Sequence, residues 1–475
     1  MAFTKFIITF IIIRKALAYS SLFLPFKTYN NFSTNDLDYT PSSILKNYLY
    51  YPLYVNISIG SQKKSIITII DTQTDQLQLK SVSNLPLNST YQPKESFTYK
   101  NIESNYYNES LSFYTDINFK NEITIDDFTL LNKINNNENI SSYYLNLGIK
   151  IGNEKTNTDQ HITNLITQLK LRKIISSTKF SINFKNITID NIKYNGYLLI
   201  GGEPHEFANN NDLNKNNLVK TQTKDVNYEL NWLLALDTIF YYSKNETNNE
   251  TYKKYINYQE YYYNNAQISP NLNIIIGTEE YFDEIANDFF KEYLDKNICF
   301  KDYYSSYNYH MIYCYSNKIT INDLKNFPSL YLTNFVFNYA FELTYKDLFL
   351  ERGDYIYFSV VYEDVIESEE DDYTIGSRWK FGQIFLNKFL FTYDYDNRLI
   401  GFYNPDLIKN EETGNYMVVI KIIIIVVLVI ICAIGGFLLG RTIYRRKNKE
   451  KATELDNEDI NDIDYASFKT TDDEN

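Results

Sequence analysis

Asp71 and Thr72 close a run, Ser65 to Ile70, whose consecutive β-branched residues mark a strand buried on both faces. A carboxylate that emerges from the core of a lobe is costly unless it has a partner or a function. The function its chemistry suits is general acid–base catalysis. Ahead of it Val55, Ile57 and Ile59 alternate with Tyr54, Asn56 and Ser58, the period of a half-buried strand, and Gly60-Ser61 turns the chain. Other chemistries find little support. The only histidines are His161, His205 and His310, none inside such a motif, so a serine nucleophile lacks its base. His205 and His310 read as ordinary surface or loop residues. There is no HExxH pattern, cysteine cluster or glycine-rich phosphate loop, so neither a metal nor another cofactor is expected.

The elements that position Asp71 belong to a large chain. With 475 residues, 44% of them hydrophobic, it can bury a substantial core, and its length suggests roughly two to four domains. A net charge of −13, part of it in the C-terminal tail, argues against a nucleic-acid partner. Residues 1–18 read as a signal peptide: Lys5, an apolar run from Phe6 to Ile13, then the small residues Ala16 and Ala18. Residues 417–440 read as one transmembrane helix with an uninterrupted apolar stretch from Ile422 to Gly440. Arg441, Arg445, Arg446 and Lys447 follow and put 441–475, an acidic tail, in the cytosol. The expected product is a single-pass type I protein of the secretory pathway, cell surface or an endosomal or vacuolar membrane. Asn31, Asn56, Asn88, Asn108, Asn139, Asn186, Asn245 and Asn249 each begin an Asn-X-Ser/Thr sequon. Cys432 lies in the span, which leaves Cys299 and Cys314 as a pair in an oxidising lumen.

The motif around Asp71 has a second, altered copy. After Asp71 comes "YLNLGIKIG", with a hydrophobic-Gly core at Leu147 and Gly148. In the second half "NNAQISPNLNIIIGTEEYFDEI" gives a strand, a polar loop from Ser269 to Asn273, another apolar strand and a helix-like segment, and Phe381-Gly382 follows. Two lobes are implied. Together with "NGYLLIGGEPHEF", "NWLLALDTIFYY", "FPSLYLTN" and "FGQIFLNKFLFTYDYDNRLIGFYN", these segments resemble the pepsin-like aspartic peptidases over about Tyr48 to Pro405. The resemblance implies an all-β, bilobal fold followed by the C-terminal transmembrane helix. It implies an N-terminal lobe at 48–223 and a C-terminal lobe at 224–408. Residues 19–47 are then either a prosegment-like stretch, with "LFLPFK" as its first strand, or a plain N-terminal strand of the sheet beneath the lobes.

In that family two aspartates, one from each lobe, share a proton and activate water. The resemblance makes Asp71 the first and puts Ser269 where the second belongs, and no aspartate lies between Tyr255 and Glu280. Thr72 is retained as a substrate-side hydroxyl, but its counterpart is Pro270, and the motif glycines are replaced by Gln73 and Asn271. Tyr106 in "NYYNES" takes the place of the flap tyrosine, and a glycan on Asn108 beside it would crowd the cleft mouth. Gln383 replaces an aspartate usual in the last hydrophobic-Gly motif. The resemblance therefore implies a membrane-anchored peptidase homologue without catalysis, holding a peptide or protein ligand in the inter-lobe cleft. Two alternatives stand beside it: a divergent active aspartic endopeptidase, and a structural surface glycoprotein.

Overall fold

The computed structural model describes residues 21–28, 40–72, 76–82, 96–98, 100–103, 106–116, 118–133, 142–149, 164–207, 213–223, 232–244, 251–256, 264–364, 379–407, 430–431 and 433–448. The alternating run forms strand β2, Leu53–Ile59, and the β-branched run forms β3, Lys64–Asp71. They pair antiparallel from Leu53 opposite Ile70 to Ile59 opposite Lys64. Gly60 and Lys63 both take positive φ in the connecting turn, where glycine adds no steric cost. Ile66, Thr68 and Ile70 on one face are fully buried, and Ile67 and Ile69 on the other are buried as well, so the strand is covered on both faces.

Chain order continues with β4 (Leu77–Val82), β5 (Lys100–Glu103), β6 (Tyr106–Tyr114), β7 (Glu122–Lys133), β8 (Ser142–Gly148) and β9 (Lys179–Asn183). A first strand, β1 (Leu22–Lys27), precedes them all and lies between β2 and the strand Gly196–Ile200. One thirteen-stranded sheet holds these nine strands together with Gly196–Ile200, Leu218–Gln222, Phe391–Asp394 and Leu399–Tyr403. The last two lie at the far end of the second half, and Thr392 pairs with Ser181 of β9, so the two halves share this sheet. The second half builds a nine-stranded sheet and a four-stranded one of its own. The "LFLPFK" segment is thus a strand of the shared sheet, and a short helix, α1 (Pro41–Leu49), follows it.

Cys299 and Cys314 face each other across two antiparallel strands, Cys299–Tyr304 and Tyr309–Tyr315, and are joined by a disulfide. The loop it closes is short, so it contributes roughly 3 kcal/mol in the chain-entropy picture.

Residues 1–405 form one compact unit and 406–475 a second. In the second, residues 433–448 are helical, and Ile434, Phe437, Leu438 and Leu439 are exposed. Among the described residues no helix is long and apolar enough to cross a membrane. Residues 411–429, Cys432, the tail beyond 448 and the signal-peptide stretch 1–18 lie outside the described residues. So do His161, Gln73, Asn31, Asn88, Asn139, Asn245 and Asn249.

Candidate functional site

Asp71 and Ser269 occupy matching places in two copies of one strand pattern. In the first copy β3 runs parallel to β8, bringing Asp71 opposite Gly148, and β4 returns antiparallel to the same strand. In the second, Asn264–Ile268 runs parallel to Trp379–Phe381 with Ile268 opposite Phe381, and Ile275–Gly277 returns antiparallel to it. Ser269, the next residue, is therefore level with Gly382, as Asp71 is with Gly148. Each glycine is required by a crossing backbone. A Cβ on Gly148 would sit 2.4 Å from the Gln76 nitrogen, and one on Gly382 would sit 2.3 Å from the Ile274 oxygen. The hydrophobic-Gly pair in each half thus marks where the site loop passes over its own lobe.

A short relay of hydrogen bonds connects the two positions. Ile149 N–H donates to the Asp71 carbonyl (2.9 Å), Trp232 Nε1–H to the Ile149 carbonyl (3.3 Å), and Ile268 N–H to the Trp232 carbonyl (3.0 Å). Ser269 follows, its own N–H donating to Phe381 at 2.9 Å. Asp71 is half-buried, whereas Ser269 and Pro270 are buried. The Thr72 hydroxyl is buried and meets no hydrogen-bond partner among the described residues. Pro270, which the resemblance makes its counterpart, has neither hydroxyl nor N–H to offer.

Gln383 does something that an acid in its place cannot. Its amide nitrogen donates to the Tyr51 carbonyl at 2.9 Å and to the Pro270 carbonyl at 2.8 Å, tying the second-lobe loop to the segment leading into β2. An ionised carboxylate has no proton for either carbonyl. Gln383→Leu keeps similar bulk and removes both donors. Urea unfolding should show a loss of roughly 1–3 kcal/mol, the cost of buried acceptors left without their donor. An unchanged midpoint would mean that the two bonds are incidental.

The segment from Pro41 to Tyr51 lies between the two site loops. Pro41 starts α1 at a position that needs no N–H, and Ile44, Leu45 and Tyr48 form its buried face. That face packs on Ile274, Ile276, Met311, Tyr357 and Val361 of the second lobe. Asn273 N–H donates to the Tyr48 carbonyl (2.9 Å) and Tyr51 N–H to the Asn271 carbonyl (2.7 Å), so the backbone is pinned on both sides of Leu49 and Tyr50. Tyr50 is exposed, and partial desolvation, then the charge of Asp71, raises its phenol above the ordinary value. Apolar spacing at Ile44 and Tyr48, one helical turn apart after Thr40-Pro41, was the sequence signal for this element.

Tyr106 begins β6 just after the turn of the β5–β6 hairpin, where Glu103 is its cross-strand neighbour. Asn108 follows on the same strand, half-buried, its Oδ1 accepting from Thr129 Oγ1 at 3.1 Å. Asn186 is exposed just beyond β9. His310 stacks on Tyr362 with ring centroids 5.2 Å apart. His205 is drawn inward rather than left on the surface, its Nδ1 2.9 Å from the Tyr403 hydroxyl. Burial lowers its pKa, against the opposing pull of Glu203 and Glu206. Glu203, His205 and Glu206 are close enough to share an ion. The buried Glu203 carboxylate, however, is already held by Lys179 (3.2 Å) and Lys220, so this cluster is charge-balanced by its own side chains.

No family model matches the chain, and no curated protein matches it. Solved structures do. Basic 7S globulin from soybean superposes with a TM-score of 0.50 at 11% identity, over 81% of this chain and 95% of that one. An aspartic proteinase from Irpex lacteus gives a TM-score of 0.47 at 12% identity, over 81% and 97%. The chain is mostly β-sheet and its structural neighbours have the pepsin-like aspartic-proteinase fold, as the sequence resemblance implied. At these identities the likeness is one of fold alone.

Proposed function

We propose that the chain is a membrane-anchored, catalytically inactive homologue of the pepsin-like aspartic peptidases that binds a peptide or protein in the groove between its lobes. The observation that carries this reading is the match between Asp71 and Ser269 in the two copies of the strand pattern. A serine hydroxyl does not titrate in the useful range and cannot share a proton with Asp71, so the acid–base pair is missing one member. In this reading the apolar wall that Ile274, Ile276, Met311, Tyr357 and Val361 form on the second lobe would receive alternate side chains of an extended ligand.

That wall is now covered by α1, and this observation favours a second reading, in which the fold serves as a surface scaffold with its groove filled from within. Binding of an extended-peptide library to the full chain separates the two. Under the first reading a ligand competes with α1, so Leu45→Ala, which weakens α1 on its wall, tightens selected peptides. Absence of sequence-selective binding in both the native chain and Leu45→Ala sinks the first reading and leaves the scaffold. The divergent-enzyme alternative rests on turnover, measured at acid pH with and without pepstatin.

A further inference from the structure

We propose that His205 and Tyr403 form a pH-operated latch, closed while the imidazole is neutral and released when the ring takes up a proton. It joins the 3₁₀ turn Pro204–Glu206, at the end of the first half, to the strand Leu399–Tyr403 of the shared sheet. Two hydrogen bonds of opposite direction close it. His205 N–H donates to the Tyr403 oxygen at 3.3 Å, and that oxygen lies 2.9 Å from His205 Nδ1. The hydroxyl already accepts from the backbone, and among the described residues its own proton has one place to go, the lone pair of Nδ1. Nδ1 is therefore bare and the ring proton sits on Nε2, which faces the Glu203 carboxylate at 3.9 Å. An imidazolium undoes this arrangement. It carries a proton on both ring nitrogens, so the Tyr403 oxygen would meet two donors, and its own O–H, on a residue 6% exposed, would lose its acceptor.

The surroundings keep the ring neutral until the pH falls. Both acids beside it are engaged: Lys179 (3.2 Å) and Lys220 hold the Glu203 carboxylate, and Glu206 Oε2 accepts from the Glu203 N–H at 3.0 Å. Lys215 adds a third cation, while Tyr403 and Tyr197 bring phenols that burial keeps uncharged. An imidazolium would thus enter a nearly closed site where three ammonium groups already face two carboxylates. Burial is the largest influence on the ring and lowers its pKa; Glu203 and Glu206 pull the other way, and Lys179 and Lys215 reinforce the lowering. The folded chain therefore binds this proton less readily than the unfolded chain does. The latch's contribution is complete above the ordinary histidine value of about 6.5 and is lost as pH falls from there through the lowered value. What opens is local. The strand Leu399–Tyr403 keeps its pairing with Leu218–Gln222 and Phe391–Asp394, so release frees the 204–206 turn and leaves the sheet intact. None of this depends on whether the chain cleaves or binds peptides.

The test follows amide hydrogen exchange across residues 203–207 of the full chain in detergent micelles, corrected for the intrinsic pH dependence of exchange. Protection there should fall roughly two- to tenfold between about pH 7.5 and about pH 5, the equilibrium factor of one neutral hydrogen bond. His205→Asn offers an amide oxygen to the Tyr403 proton at every pH, so its protection should stay flat. Tyr403→Phe should be poorly protected at both pH values. Unchanged protection in the native chain overturns the latch. So does a His205→Asn or Tyr403→Phe chain that responds to pH as the native chain does, because other groups would then be titrating. Should the variants fail to fold, the native tautomer decides. Nitrogen-15 NMR of histidine-labelled chain, its three histidines told apart through His161→Gln and His310→Gln, should place the neutral-pH proton of His205 on Nε2. A proton on Nδ1 overturns the latch whatever the exchange data show.

Discussion

The chain as it stands is expected to show no peptide cleavage at acid pH, and Ser269→Asp alone is expected to leave it so. A positioned acid or base contributes typically 10²- to 10⁴-fold, provided that it meets the reacting water within hydrogen-bond reach. Restoring the carboxylate supplies charge without that geometry. The Thr72 hydroxyl would still be buried without a partner among the described residues, and Pro270 would still offer neither hydroxyl nor N–H. Gln73 and Asn271 would still stand where the resemblance puts the motif glycines. The Tyr51–Asn271 hydrogen bond would still hold the Pro41–Tyr51 segment against the loop that carries Ser269. Turnover is therefore expected only after Pro270→Thr, Asn271→Gly and Gln73→Gly are added to Ser269→Asp and α1 is loosened by Leu45→Ala. A fluorogenic peptide assay at acid pH reads each step. Pepstatin-sensitive cleavage by the native chain, abolished by Asp71→Ala, would instead establish the divergent enzyme.

What was legible in the sequence was whatever is set by local pattern. The β-branched run before Asp71, the paired hydrophobic-Gly motifs and the Ser269 loop are each fixed by residues within a few positions of one another, and all lie where the pattern put them. The Cys299–Cys314 pair needed only counting. Less legible was what depends on distant partners. Sequence left 19–47 open between a prosegment-like stretch and a strand, and the "LFLPFK" part is a strand of the shared sheet. Helix α1 escaped notice because it is short and the surface that buries its apolar face comes from the second lobe. Gln383 looked like one more lost acid, yet its value lies in two carbonyls at Tyr51 and Pro270 that no local pattern reveals. His205 read as a surface residue because Tyr403, which receives it, lies 198 positions away.

Trp232→Ala is expected to cost about 3–5 kcal/mol, the range for truncating a large buried aromatic side chain. Trp232 is 2% exposed and lies where the two halves meet. Its ring packs edge-on against Phe180 of β9 (5.4 Å) and Tyr393 of the strand Phe391–Asp394 (5.0 Å), which stack on each other at 4.8 Å. Its indole N–H and its carbonyl are both links of the relay that runs from Asp71 through Ile149 to Ile268 and Ser269. Two effects are therefore combined, and they differ in size: the packing is worth several kcal/mol, whereas one neutral hydrogen bond is worth about 0.5–1.5 kcal/mol net. Trp232→Phe retains most of the packing and removes only the donor. It should cost about 1–3 kcal/mol, the desolvated Ile149 carbonyl included. Urea unfolding followed by far-UV circular dichroism measures both variants, and Trp379 supplies a second, fluorescent readout. If Trp232→Phe proves as damaging as Trp232→Ala, the indole N–H to Ile149 is the main tie between the Asp71 and Ser269 loops. If Trp232→Ala costs less than about 1 kcal/mol, well below any buried-tryptophan truncation, the packing account of how the halves are joined is wrong.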